Sequence, residues 1–215
     1  MNAILINASP RKNGNTATLL ERVREGLEEE GCETKTVHLG AISFTGCKGC
    51  LACKVKGSKC NGLCALRDDL RPVLEEVLAA DILVLASPVY WNYPTALARA
   101  FTERLLFAPL DYENPGASVL SKKIRCATLY TMHVFNDDLF EKQGYDKTLA
   151  VAAKELEFLG PAEVEYFRGL STFPKKGIYA VSPGFEAIFD KIREEDYAAY
   201  EERARALGRR LAAAE

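Results

Sequence analysis

The sequence predicts an α/β protein whose mostly parallel, five-stranded sheet is doubly wound, with helices on both faces. Three observations predict it. Short apolar runs of buried-strand length recur along the chain, segments of helical periodicity alternate with them, and polar Gly/Pro-rich stretches separate the two. Residues 3–7 form the first run, bounded by polar turn residues. From Thr16 onward Leu19, Leu20, Val23 and Leu27 keep helical spacing, with Gly31 as the stop signal. Residues 34–39 read as a second strand, and Leu70, Val73, Leu74, Val77 and Leu78 mark the next helix. Residues 82–86 are a third buried run, 96–107 read as a helix, and 124–131 form a fourth strand rich in apolar and β-branched residues. Leu149, Ala152, Ala153, Leu156 and Leu159 give a further helical face before a last strand at 162–167. Strands joined through helices in this way are parallel, with right-handed crossovers.

A chain of 215 residues is expected to form a single domain, 1–215, that includes a Cys-rich loop at 46–64 and a C-terminal helical extension at 185–213. Residues 169–184, rich in Pro, Gly and Lys, read as a connecting or lid segment. With 28 basic and 30 acidic residues the net charge is −2, which gives no electrostatic footprint for nucleic acid. No apolar run approaches the roughly 20 residues of a membrane span. The N-terminal text lacks the basic start and long apolar region of a signal peptide, so the expected location is the cytoplasm.

In doubly wound sheets ligands bind beyond the carboxyl ends of the strands. The loop after the first strand, residues 9–16, supplies the Ser9 and Thr16 hydroxyls, a flexible Gly14 and the following helix N-terminus. These features suit a phosphate, because unsatisfied N–H groups and the helix dipole favour an anion. An ordinary capped turn is the alternative. Residues 87–94 place three aromatics and two prolines just past the third strand, a surface suited to a planar ring system. The alternatives there are an aromatic plug on the core or an oligomer contact. The third loop starts near Thr131 and carries His133, whose imidazole suits contact with a ring edge or a substrate.

The texts Ser9-Pro-Arg11, Gly14-Asn-Thr16 and Pro88-Val-Tyr-Trp91, with compact cysteines ending in Asp68-Asp69, resemble the NADPH-dependent FMN reductase and multimeric flavodoxin-like group, in its iron–sulfur flavoprotein branch. The resemblance covers roughly residues 1–135. It implies a flavodoxin-like sheet, FMN as cofactor, a homodimer or homotetramer with the flavin near a subunit boundary, and a site made of Ser9, Arg11, Asn15, Thr16, Pro88, Val89, Tyr90, Trp91 and Asn92, with the first loop on the phosphate and the second along the isoalloxazine.

Seven cysteines in an unsecreted chain point to metal or redox chemistry before disulfides. Cys47, Cys50, Cys53 and Cys60 offer four thiolates over a short loop, the donor type and number of a [4Fe-4S] cluster. Cys64 is the alternative fourth ligand, since it keeps the family's spacing to Asp68-Asp69. A zinc site and a loop of free thiols are the other readings. Lys48, Lys54, Lys56 and Lys59 lie among these cysteines and either offset the charge of the cluster or steer an acidic donor such as a ferredoxin.

The function expected from these readings is electron transfer through a cysteine-bound cluster and FMN to a small-molecule acceptor, with no catalytic side chain. A cluster-free reductase using NAD(P)H, and a non-catalytic flavin or metal carrier, are the alternatives.

Overall fold

The structure is a computed structural model describing residues 1–171 and 177–213. Five strands form its parallel sheet: β1 (Asn2–Asn7), β2 (Glu33–His38), β3 (Ile82–Tyr90), β5 (Arg125–Thr131) and β6 (Ala162–Phe167). Their spatial order is β2-β1-β3-β5-β6, and a two-residue β4 (Tyr93–Pro94) pairs antiparallel with the end of β3. The register runs Asn7↔Ala86 between β1 and β3 and Ala86↔Leu129 between β3 and β5. The three central strands therefore end side by side.

The central strands are apolar on both sides because helices cover both faces. On one face Ala3 and Leu5 of β1, with Ile82, Val84 and Ala86 of β3, pack under α1 (Asn15–Glu29) and α7 (Tyr197–Ala213). On the other, Ile4, Ile6, Leu83 and Leu85 meet α2 (Leu70–Ala79) and α3 (Ala96–Phe107). A third cluster joins Tyr130 and Met132 to Tyr145, Leu149 and Ala153 of α5 (Tyr145–Lys154), after a short α4 (Asp137–Lys142) that the periodicity did not reveal.

One expectation is corrected by this architecture. Residues 87–94 are not a loop: β3 runs on to Tyr90 and folds back into β4 through Trp91 and Asn92, at φ 49° and 69°. Positive φ at both central residues is the signature of a type I′ hairpin turn. α6 (Pro183–Lys191) continues through a π-helical turn, Ile192–Asp196, into α7, and α7 lies against α1. The approach is at backbone contact: a Cβ on Gly26 would fall 2.0 Å from the Arg205 carbonyl oxygen, and one on Gly208 2.2 Å from that of Val23. Glu25 and Glu29 of α1 then pair with Arg205 and Arg209 of α7.

Of the 169–184 lid segment, residues 172–176 lie outside the described residues. Its beginning follows β6, and near its end the Ser182 hydroxyl accepts a hydrogen bond from the Phe185 amide, capping α6. Among the described residues no helix is long and apolar enough to cross a membrane.

Candidate flavin and thiol sites

β1 and β3 are neighbours whose connections leave in opposite directions, to β2 on one side and β5 on the other, so a crevice opens beyond their carboxyl ends. A cavity of about 400 Å³ lies there, a volume in the range of small-molecule sites.

Its polar end is the loop between β1 and α1. The Asn7 carboxamide oxygen accepts from the Ser9 amide at 2.9 Å, and Ser9 Oγ accepts from the Arg11 amide at 3.1 Å, so the loop is tied by its own side chains. Thr95 Oγ1 donates to the Ala8 carbonyl at 2.7 Å and anchors the loop to the start of α3. Gly14 precedes α1 at φ 150°, a conformation that strains any residue with a Cβ, and no side chain caps the helix. The first turn of α1 carries no acidic residue. An uncapped helix N-terminus at the end of a cavity is a place for an anion.

Ser9, Arg11, Asn15 and Thr16 all line the cavity, as do Pro88, Val89 and Tyr90. Asn15 Nδ2 donates to the Ser171 carbonyl at 2.9 Å, so its amide holds the far wall in place. Thr16 and Thr131 are both buried, with hydroxyl oxygens 2.7 Å apart. Trp91, Asn92 and His133 stand outside the lining. Trp91 sits at the hairpin tip with 96% of its surface exposed, and Asn92 Nδ2 donates to the Gln143 carbonyl at 3.2 Å. His133 is exposed, while the packing beneath its ring disfavours the charged imidazolium and lowers its pKa.

Sequence reasoning missed the opposite wall. Thr131 and Met132 end β5; Gly169, Leu170 and Ser171 follow β6; Phe189, Ile192, Arg193 and Tyr197 come from the C-terminal helices. Thr131 and Met132 carried a signal, because they stand directly before His133 at a strand's end. The C-terminal residues carried none, since amphipathic spacing does not say which surface a helix covers. In donor chemistry and size the cavity fits FMN: an anion site at one end and apolar walls beyond it.

The second site is the cysteine segment after β2. Cys47, Cys50, Cys53 and Cys64 border one small pocket beside Leu66, Arg104 and Phe107. Cys60 does not: its Sγ points toward the Ala52 carbonyl at 3.9 Å. Cys64 is buried, Cys47 and Cys50 are exposed, and all seven cysteines are free. Burial pushes the Cys53 thiol up against the opposing pull of Lys54, and the isolated Cys126 is pushed up to about 12 by burial alone. Among the described residues no three acidic, His or Cys side chains converge on a single ion. The pocket measures about 10 Å³, room for roughly one water and too little for a cluster in this arrangement. Its four thiols nevertheless match a cubane cluster in type and number.

The lysines divide. Lys54 Nζ donates to the Ala108 and Leu110 carbonyls at 2.9 and 2.5 Å and lies 5.0 Å from the ring centroids of Phe107 and Tyr112, which commits it to holding the loop. Lys48, Lys56 and Lys59 are exposed.

Fold and cavity together define a flavodoxin-like α/β protein with a cavity at the switch point of its sheet. The model of the NADPH-dependent FMN reductase family matches residues 1–131, and the chain belongs to that family. It is 37% identical over 106 residues to an iron-sulfur flavoprotein of Archaeoglobus fulgidus, covering 49% of this chain and 46% of that one. To an iron-sulfur flavoprotein of Methanocaldococcus jannaschii it is 34% identical over 104 residues, covering 48% and 51%. The matched region thus spans about half the length of these curated relatives. Among solved structures, an NAD(P)H:quinone oxidoreductase from Methanothermobacter marburgensis superposes with a TM-score of 0.71 at 16% identity, over 100% of this chain and 98% of that one. An FMN-dependent NADH-azoreductase of Bacillus anthracis in complex with FMN gives 0.60 at 15% identity, over 97% and 100%. At those identities the likeness concerns the fold.

Proposed function

We propose that the protein is a cytoplasmic, FMN-dependent electron-transfer oxidoreductase of the iron–sulfur flavoprotein type. The observation that carries the proposal is the cavity at the carboxyl ends of β1, β3 and β5, with the uncapped N-terminus of α1 at one end. Ser9, Thr16 and the first amides of α1 hold the FMN phosphate, with the Arg11 guanidinium adding positive charge. Pro88, Val89 and Tyr90 form the wall along the ring. Bound FMN supplies two-electron and one-electron redox chemistry. The chain orients it, excludes water on the buried side and leaves the outer side to a small acceptor. Cys47, Cys50, Cys53 and Cys64 are the thiols that would hold a cluster, which would supply one-electron transfer there, and Lys48, Lys56 and Lys59 would steer an acidic donor such as a ferredoxin toward them.

The nearly fully exposed Trp91 supports a homodimer or homotetramer, because an indole of this size held at the tip of a tight turn suits burial against a second copy. The smallness of the thiol pocket favours one other reading, a cluster-free reductase in which NAD(P)H reduces the flavin directly.

An anaerobic absorption spectrum with iron, sulfide and zinc analysis separates the readings. A flavin spectrum over broad iron–sulfur absorption, with about four irons per chain, supports electron transfer through a cluster. Flavin without iron, bleached rapidly by NADPH, supports the cluster-free reductase. Protein that neither retains nor takes up FMN refutes both.

A further inference from the structure

Among the described residues that border the switch-point cavity, only Arg11 and Arg193 are charged. Both carry guanidinium groups, and no carboxylate joins them. Arg193 belongs to a run of charged residues, with Asp190, Lys191, Glu194, Glu195 and Asp196, and of these it alone borders the cavity. The helix geometry makes that selection. The turn Ile192–Asp196 is π-helical, a rare form that shifts the register of side chains around a helix and is frequent at functional sites. Arg193 approaches Asp190 at 3.8 Å, with side-chain exposures of 58% and 27%. An ion pair so long and so exposed contributes little, so it does not commit the guanidinium.

The wall that carries Arg193 is packed into place. Ile192 fills the notch left by Gly169, where a Cβ would fall 2.0 Å from Ile192 Cδ1. Phe189 is buried, its ring 6.3 Å from that of Phe185, which meets Phe135 edge-on at 6.0 Å. Tyr197, one turn after Arg193, also borders the cavity, and its hydroxyl interacts with Thr18 in the first turn of α1. Arg193 therefore belongs to the α1 end of the cavity.

We infer that Arg193 is a binding residue for the FMN phosphate, the second guanidinium of a site in which Arg11 is the first. The assignment rests on the flavin reading given above. A phosphate monoester carries close to two negative charges at pH 7, which two cations match, and a guanidinium can engage two of its oxygens at once. The family model ends at residue 131, so this contribution comes from a part of the chain beyond the family's pattern.

The test uses apoprotein of the full chain, as wild type, R193Q and R193K. Each is titrated with FMN and with riboflavin, by quenching of flavin fluorescence, at low and high salt. Circular dichroism and thermal melts report the fold, which both substitutions are expected to leave intact at this exposed position. In R193Q, FMN binding is expected to weaken about tenfold, with riboflavin affinity unchanged and a shallower salt dependence. R193K is expected to recover part of the loss, since it keeps the charge without the planar fork. R193Q that binds FMN as tightly as wild type, or that loses FMN and riboflavin affinity equally, overturns the assignment; a wild type that still prefers FMN then leaves the flavin reading standing. Wild-type protein that binds neither flavin, or both equally, overturns the flavin-phosphate reading and this assignment with it.

Discussion

Thr16 occupies the first turn of α1 and meets Thr131 across the base of the cavity, hydroxyl to hydroxyl at 2.7 Å in a buried setting. Valine at position 16 keeps the shape, removes one hydroxyl and leaves the other without its partner. A buried hydroxyl stranded in this way costs about 1–3 kcal/mol. T16V is therefore expected to lower the urea midpoint, and to weaken FMN binding about tenfold through loss of a hydrogen bond worth about 1.4 kcal/mol at the phosphate end. Denaturation and fluorescence titration measure the two effects separately. The same pair illustrates what single residues reveal in sequence. Thr16 was legible because hydroxyls at a helix start have few roles. Thr131 was visible only as a strand end, and its importance comes from the register that sets β5 beside β3. Arg104 was not legible: a lone arginine within a helix reads as a solvated charge, and only the packing of the cysteine segment over α3 buries it.

At the scale of elements, the strands and α3 were readable because their apolar runs are short, uninterrupted and separated by turn residues. Residues 96–107 match α3 at both ends. The β3–β4 hairpin was missed because its turn is Trp-Asn, where the usual sequence signal for a type I′ turn is Asn-Gly or Asp-Gly. Which surface α7 covers was not readable, because its small residues, Ala204 and Gly208, matter through what they let approach. Alanine at 208 would set a Cβ 2.2 Å from the Val23 carbonyl oxygen, so G208A is expected to cost about 1–3 kcal/mol of stability in urea denaturation. The charged pairs across this interface add a pH dependence. Hydrogen bonds from Arg22 and Arg205 hold the Glu25 carboxyl below its usual value. A depressed carboxylate pKa contributes stability that is complete above the unfolded value of about 4.3 and is lost as pH falls through the folded value. E25Q is therefore expected to narrow the stability difference between pH 7 and pH 3, as followed by thermal melts, with an effect of about 1 kcal/mol or less at this partly exposed site.

For the whole molecule, the sheet order places one cavity at the switch point, and α3, 12 residues or about 18 Å long, separates that end of the fold from the thiol pocket. Thr95 at its start anchors the flavin-site loop, and Arg104 in its last turn anchors Cys64. Trp91 contributes to neither site within one chain. W91A is expected to leave monomer stability within about 0.5 kcal/mol while shifting the assembly to smaller species in size-exclusion chromatography with light scattering. An unchanged assembly would show that the indole serves something other than self-association.

In the proposed function the anionic end of the flavin sits on the N-terminus of α1. Titration of apoprotein with FMN and with riboflavin, followed by quenching of flavin fluorescence, tests it most directly, because the two ligands differ only in the phosphate. Charge-assisted hydrogen bonds of about 1.5–3 kcal/mol each, with a helix-dipole contribution of up to about 2 kcal/mol, predict FMN binding at least about a hundredfold tighter than riboflavin, with the difference shrinking in high salt. Equal affinity for the two would contradict the account, since the cavity would then hold the ring without using the helix end that defines the site.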